Sequence, residues 1–317
     1  MNAAGRLGLY GAGLAVAFAT AFGVAAAVVP QSAVADWTDR AQQGGEHADM
    51  ESEAPAKEGL PGLSLSAYGY ALSPVEGPTT VGEQGTLGFR ILEADGEPLT
   101  AFKTEHDKDL HLIVVRTDGT RFRHVHPTFD AESGTWSVPW AWDAAGTYRV
   151  YADFVPDVKG GPDKVTLTRA VEIGGEVTPE PATHTSTSDE VDGFDVSIEG
   201  TLVAGSTSDL TITVSRDGAP VTTLQPYLGA FGHLVTLRDG DLAYLHVHPL
   251  GDEPKAGDAG GPEIRFGAEA PTAGRYLLYL DFQVDGQVRT AEFVLDAVSG
   301  DGTGGDTHDD SKTDDDH

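Results

Sequence analysis

From about residue 61 onward, hydrophobic and polar positions alternate in short runs that turn residues separate. A period of two places successive side chains on opposite faces of a β-strand. No convincing amphipathic helix is indicated after residue 35. The clearest predicted strands lie at residues 86–92, 135–138, 147–154, 164–173, 201–203, 210–214, 275–282 and 288–295.

The middle of the chain repeats itself, as expected of a duplicated domain. Residues 145–154 read AGTYRVYADF and residues 273–282 read AGRYLLYLDF, with six of ten positions identical. Residues 111–127 read HLIVVRTDGTRFRHVHP and residues 233–249 read HLVTLRDGDLAYLHVHP, with seven of seventeen positions identical. The shared positions include three histidines and the proline that follows them.

The duplication predicts two similar domains, at residues 61–175 and 191–298. The segment between them, 176–190, is rich in Glu, Pro, Thr and Ser, which is typical of a linker. Many short strands in each unit favour an antiparallel β-sandwich of immunoglobulin or cupredoxin shape. The expected fold class is therefore all-β, with two tandem sandwiches after an N-terminal hydrophobic helix.

Residues 7–29 carry no charged side chain, and a bilayer-spanning helix needs about 20 apolar residues. This length favours a membrane anchor, whereas the Ala-Val-Ala sequence just before Asp36 favours a cleaved signal peptide. Both alternatives stay open for residues 1–35. Either one predicts export, with the protein anchored and facing outward or secreted.

The chain has 317 residues, with 50 acidic and 20 basic side chains and a net charge of −30. This charge argues against nucleic acid and anionic lipid as partners, so membrane contact is expected only through an uncleaved N-terminal segment. The absence of cysteine excludes disulfides, thiolate metal sites and cysteine nucleophiles. The acidic stretches 36–60 and 299–317 are predicted to be a disordered tether and a disordered tail.

Each repeat carries one histidine, twelve intervening residues and then His-x-His-Pro. The six histidines are His111, His124 and His126 in the first repeat and His233, His246 and His248 in the second. In the first repeat, a turn at Asp118-Gly119 predicts a hairpin that places His111 opposite His126. Alternation along the strands then puts all three imidazoles on one face.

That face also carries Ile113, Val115 and Phe122, so we expect it to face the core of its own sandwich. The residues expected to face outward are Arg116, Arg121 and Arg123. In the second repeat, the turn has four residues or His233 lies opposite His246. Both registers keep the three histidines of that repeat on one face.

Three inward imidazoles cannot all be buried without partners, because each neutral ring has a donor and an acceptor. One divalent metal ion accepts three lone pairs at once, as in open sites with three histidines. The alternative is a hydrogen-bonded histidine cluster that supports the end of a sandwich. Asp153 and Asp281 occupy matching positions, and either they are fourth ligands, or they orient an imidazole, or they only form strand-end turns.

Ligand chemistry selects among metals, because Cu(I) favours thiolate and thioether ligands. The chain has no cysteine and only two methionines. Imidazole nitrogen instead suits Cu(II), ranked first, and Zn(II), ranked second.

The segments HLIVVR…HVHPT, AGTYRVYADF, PYLGAFGHLV and DLAYLHVHP resemble those of exported actinobacterial-type proteins. These proteins are often described as secreted or heavy-metal-binding and associated with copper or heavy-metal transport ATPases. The resemblance covers residues 61–298 and the anchor-like N-terminal segment. It implies a metal role for the six histidines, with a metal-transport membrane protein as partner.

Three functions follow from this sequence. The first is a non-catalytic, extracytoplasmic protein that binds one metal ion per repeat for buffering, resistance or delivery. The second is a structural or interaction module without metal. The third is a metalloenzyme, since three histidines leave a coordination position open for water. No catalytic motif of another enzyme class is present, so we expect no enzymatic activity.

Overall fold

The computed structural model describes residues 60–245, 247–255 and 257–300. Within these residues the chain is all-β and contains no helix, so a helix that spans a membrane is absent from the described part of the chain. The predicted anchor or signal at 1–35 lies outside the described residues. So do almost all of the tether at 36–60 and of the tail at 299–317. Both repeats belong to one compact unit.

The first repeat forms three small sheets around one core. Its strands are β1 (Ser66–Ala67), β2 (Tyr70–Leu72), β3 (Gly85–Phe89), β4 (Ile91–Leu92), β5 (Phe102–Lys103), β6 (Leu110–Arg116), β7 (Arg123–Val125), β8 (Thr128–Asp130), β9 (Thr135–Trp140), β10 (Gly146–Pro156) and β11 (Val165–Ile173). The sheet orders are β1-β2-β4, β3-β9-β8 and β11-β10-β6-β7, and β5 also pairs with β10. The tryptophans Trp136, Trp140 and Trp142 are buried in the core between these sheets.

The second repeat is a two-sheet sandwich. Its strands are β12 (Ser188–Val191), β13 (Phe194–Glu199), β14 (Thr207–Arg216), β15 (Ala219–Pro220), β16 (Gly232–Arg238), β17 (Val247–Leu250), β18 (Glu263–Glu269), β19 (Gly274–Val284) and β20 (Gln287–Ala297). One sheet has the order β12-β13-β14-β18-β17 and the other β16-β19-β20. The order β16-β19-β20 repeats the order β6-β10-β11, so the all-β class and the internal repeat are confirmed.

The register predicted for the first hairpin is also confirmed. Leu112 pairs with Val125, and Ile113 pairs with His124, on strands β6 and β7. The same count places His111 level with His126. The Arg116 N–H donates to the Thr120 carbonyl across the turn, at 2.9 Å.

The prediction that the histidine-bearing face packs into the core of its own sandwich is wrong. Leu112 and Val114, on the opposite face of β6, are the side chains that enter the core of the first sandwich. Ile113 and Val115, on the histidine face, instead belong to a separate buried cluster. That cluster includes side chains of the second repeat, namely Val235, Leu237, Leu242, Leu277 and Tyr279. The two repeats therefore dock through their histidine faces, which form an interface between the sandwiches.

Arg116 also departs from its expected outward position. It is only 3% exposed, and its guanidinium contacts the Asp118 carboxylate at 2.7 Å and Glu180 at 3.3 Å. Glu180 lies in the segment between the repeats, so this ion pair ties the first hairpin to that segment. The charge is compensated at the site, as a buried arginine requires.

Polar and aromatic contacts fix how the two repeats dock. The Tyr151 hydroxyl donates to the Leu242 carbonyl at 2.8 Å, and the Tyr279 hydroxyl donates to the Gly119 carbonyl at 2.5 Å. The rings of Phe122 and Tyr279 stack with centroids 4.0 Å apart. Gly119 has a φ of 85°, and a Cβ there would overlap the Leu277 side chain. The predicted turn therefore also needs glycine for its contact with the second repeat.

The hairpin of the second repeat forms in the predicted register with a four-residue turn, but it is short. Leu237 bridges Tyr244, and the Leu245 N–H donates to the Thr236 carbonyl at 2.8 Å. The chain then crosses to the other sheet, where β17 pairs with β18 and His248 lies opposite Gly267. His248 is exposed there, and His246 lies outside the described residues. No second trio opposite β16 is therefore assembled from the described residues.

The stacked pair across the interface gives a direct test of docking. We expect Phe122→Leu and Tyr279→Leu to show a coupling free energy of about 0.5–1.5 kcal/mol in a double-mutant cycle, because the rings interact beyond their buried area. Equilibrium urea unfolding measures the cycle. Phe122→Leu with Phe293→Leu is the control, since Phe293 lies in the core of the second sandwich. The control pair should be additive; an additive Phe122–Tyr279 pair would contradict the docking.

Candidate metal centre between the repeats

The docked faces bring side chains from both repeats to one place. The first repeat supplies His111 from β6, His124 from β7 and His126 from just beyond β7. The second supplies His233 from β16 and Asp281 from β19, which are directly paired in their sheet. Two overlapping groups have ligand atoms within 4.8 Å of one another. They are His111, His124 and His126, called here the histidine trio, and His124, His233 and Asp281, called the junction group.

The nitrogens of the histidine trio converge. His111 Nδ1 lies 3.0 Å from His124 Nε2 and 3.3 Å from His126 Nε2. Nitrogens bonded to one ion at about 2.0–2.1 Å lie about 3–4 Å apart. The trio can therefore hold an ion with little rearrangement of its rings.

In two of these rings, the other nitrogen lies within hydrogen-bond distance of an oxygen acceptor. His111 Nε2 lies 3.2 Å from the Glu105 carbonyl oxygen, and His124 Nδ1 lies 2.7 Å from Asp281 Oδ2. A carbonyl and an ionised carboxylate only accept, so both ring nitrogens donate. In neutral rings this leaves lone pairs on His111 Nδ1 and His124 Nε2, which face each other at 3.0 Å. Two facing lone pairs need a cation between them, either a metal ion or an additional proton.

The two matching aspartates have different surroundings. Asp281 receives a hydrogen bond from Thr290 at 2.6 Å and turns its other oxygen to His124. Asp153 receives the equivalent bond from Thr166 at 2.7 Å, but its other oxygen pairs with Lys164 at 3.0 Å. Lys164 also pairs with Glu105, at 3.3 Å. In the second repeat, the strand register puts Val288 in the place of Lys164.

His233 is the member of the centre that sequence reasoning assigned to a different trio. Its ring stacks on His111, with centroids 5.4 Å apart and planes within 9°, and lies 4.7 Å from the His124 ring. Its Nδ1 is buried and has no hydrogen-bond partner among the described residues. One sequence signal indicates that the second repeat covers this face of the first. It is the unbroken apolar run in β6, which is typical of a strand buried on both faces.

Burial keeps the rings of His111, His126 and His233 neutral. Burial first, and then the neighbouring histidines, lower the pKa of His111 and of His126 to about 3. Burial also lowers the pKa of His233 well below its usual value. Neutral imidazole is the form that binds metal, so the centre is ready to accept an ion at neutral pH.

Of the five predicted histidines within the described residues, four come together, with one of the two aspartates. His248 lies on the other sheet of the second repeat, and Asp153 is held by Lys164. Sequence reasoning did not find the Glu105 carbonyl and Thr290, which fix His111 and Asp281. A carbonyl contact has no sequence signature, but Thr290 and Thr166 occupy matching positions in the two repeats.

The family model described as "Domain of unknown function (DUF8832)" matches residues 66–172 and again residues 189–299. The chain belongs to this family. The two matched segments fall on the two repeats. No curated protein sequence matches the chain.

The solved structures that match this chain share little sequence with it. Fibronectin(III)-like modules of Clostridium thermocellum CbhA are 11% identical over 73% of this chain and 94% of theirs, with a TM-score of 0.20. Yersinia pseudotuberculosis adhesin InvE is 11% identical over 74% and 60%, with a TM-score of 0.21. Salmonella alpha-2-macroglobulin is 15% identical over 76% and 15%, with a TM-score of 0.23. At these scores the likeness carries no argument about function.

The low pKa of His111 predicts how stability depends on pH in chelator-treated protein. The folded state resists protonation of His111, whereas the unfolded chain binds that proton near pH 6.5. The stability that the neutral His111 ring contributes to the folded state is complete above pH 6.5, and it is lost as pH falls towards 3. His111→Gln should therefore flatten the fall of the unfolding free energy between pH 6 and 4.5, by up to about 1.4 kcal/mol per pH unit.

Urea unfolding at several pH values in EDTA measures this slope. His184→Gln is the matched control, because His184 is exposed on the segment between the repeats. The control should keep the wild-type slope. An equal slope in His111→Gln would mean that this ring is protonated in the folded state.

Proposed function

We propose that this protein is an extracytoplasmic metal-binding protein whose ion binds the histidine trio at the junction of the repeats. The observation that carries the proposal is the 3.0 Å approach of His111 Nδ1 to His124 Nε2, while the other nitrogen of each ring donates elsewhere. A divalent ion turns this repulsive contact into two coordinate bonds. His126 Nε2 supplies the third bond.

Asp281 supports this function as a residue that orients a ligand. Metal-bound histidines commonly donate their other N–H to a carboxylate, which fixes the ring and raises its basicity. The 2.7 Å contact from His124 Nδ1 to Asp281 has this form, and the Glu105 carbonyl holds His111 in the same way. Both contacts point a lone pair at the same location.

Cu(II) is the ion that this ligand set suits first, and Zn(II) second. Three imidazoles offer borderline nitrogen ligands, and Cu(II) binds such ligands most tightly in the divalent series. His126 is only half-buried, so the ion has a path to solvent and can be exchanged. This fits buffering or delivery of metal outside the cytoplasm, with a metal-transport membrane protein as recipient, better than catalysis.

A second candidate is a structural module in which the centre holds a proton rather than a metal ion. If His124 is an imidazolium, it donates one N–H to His111 and the other to Asp281. The Asp281 oxygen lies 2.7 Å from His124 Nδ1 and accepts that bond. The cluster would then only join two sandwiches, so metal affinity separates the two functions.

Metal binding by the full-length chain is the first test. We expect tight Cu(II) binding in equilibrium dialysis against glycine, a competing chelator that removes weakly held ions from the acidic segments. His126→Ala should weaken binding by at least about 100-fold, since it removes one of three direct ligands. His248→Ala, on the other sheet, should bind as the wild type does. If the wild type does not bind Cu(II), or if His126→Ala binds it equally well, the structural module is the remaining function.

The orienting aspartate gives a second test with a built-in control. Asp281→Asn keeps an acceptor for His124 but removes its charge, so affinity should fall by about 10–100-fold. Asp153→Asn changes the matching position of the first repeat, which faces Lys164, and should change affinity far less. Calorimetric titration with Zn(II) measures both. Equal losses would instead support two equivalent sites, one per repeat.

A further inference from the structure

The junction group lies directly beside the histidine trio and shares one residue with it. His124 presents Nε2 to the trio, 3.0 Å from His111, and Nδ1 to Asp281, 2.7 Å away. The ligand atoms of His124, His233 and Asp281 lie within 4.8 Å of one another. One imidazole therefore borders two separate sets of ligands.

His233 points to a ligand that the trio alone does not account for. Its Nδ1 is buried without a hydrogen-bond partner among the described residues, and a native structure rarely leaves such a group unpaired. Thr290 already bonds one oxygen of Asp281 and thereby fixes the carboxylate that faces His124. The junction group thus combines an unused nitrogen with an oriented, buried carboxylate.

We propose that His124, His233 and Asp281 bind a second divalent metal ion, which the His124 ring bridges to the ion in the histidine trio. This inference rests on the proposed function, because the bridge needs an ion on His124 Nε2. The second ion replaces the proton on His124 Nδ1, and that proton leaves to solvent. The ring becomes an imidazolate with one nitrogen bonded to each ion, and no electron is transferred.

The local charges suit a second cation. Asp281 contributes one negative charge to the junction group. Lys164 is a positive side chain near His233, and Asp153 and Glu105 hold it at 3.0 Å and 3.3 Å. Its charge is therefore already compensated. Nitrogen and carboxylate ligands together suit Cu(II) and Zn(II).

The two ions would join the repeats directly. The trio comes from the first repeat, whereas His233 and Asp281 come from β16 and β19 of the second. Neither repeat alone contains the junction group. Loading of the second site should therefore strengthen docking, because a ligand that binds only the docked state stabilises it.

Binding stoichiometry tests this inference on the full-length protein. We expect two equivalents of Cu(II) to resist competition by glycine, falling to one in His233→Ala and to none in His124→Ala. His233→Gln is a second variant of similar size should the alanine variant not fold. One equivalent in both wild type and His233→Ala would overturn the second site alone. No binding to the wild type would overturn the proposed function itself.

Electron paramagnetic resonance tests the bridge. Two Cu(II) ions joined by an imidazolate couple magnetically, so the signal of the doubly loaded protein should be much weaker than that of two isolated ions. His233→Ala should restore the full signal of one isolated ion. A doubly loaded wild type with two uncoupled signals would contradict the shared His124, even where the stoichiometry is two.

Discussion

The apolar contact between the two histidine faces is the interaction on which the rest of the structure depends. Ile113 and Val115 on one side and Val235 and Leu237 on the other are buried against each other rather than in their own sandwiches. Because the histidines lie on these same strands, docking the apolar positions carries the imidazoles into one cluster. The trio belongs to the first repeat, but docking brings the Asp281 carboxylate to His124 and the His233 ring to the trio, so the complete centre needs both repeats.

The duplication does not yield two copies of a site, because the repeats differ at a few decisive positions. Lys164 neutralises Asp153, whereas Val288 occupies that place in the second repeat and leaves Asp281 to accept from His124. The second hairpin stays paired with β16 only as far as Leu245, whose N–H donates to the Thr236 carbonyl, and the chain then crosses to the other sheet. One repeat thus supplies the trio, and the other supplies the groups that orient and extend it.

The sequence could predict what alternation and turn chemistry control. The β-sandwich class, the duplication and the pairing of Ile113 with His124 follow from period-two patterning and the Asp118-Gly119 turn. Alternation also shows which side chains share a face, but not which surface covers that face. Both faces of β6 are apolar and buried, so the pattern could not separate the core of the sandwich from a second sandwich. The early end of the second hairpin, after Leu245, has no local signal in the sequence.

An anomalous diffraction map of copper-loaded crystals tests the central claim most directly, because it locates the ions without reference to affinity. We expect a copper peak at the junction of the repeats, within about 2.0–2.1 Å of His111 Nδ1, His124 Nε2 and His126 Nε2. One peak inside each sandwich, or peaks only on the acidic surface, would contradict a metal centre built by docking.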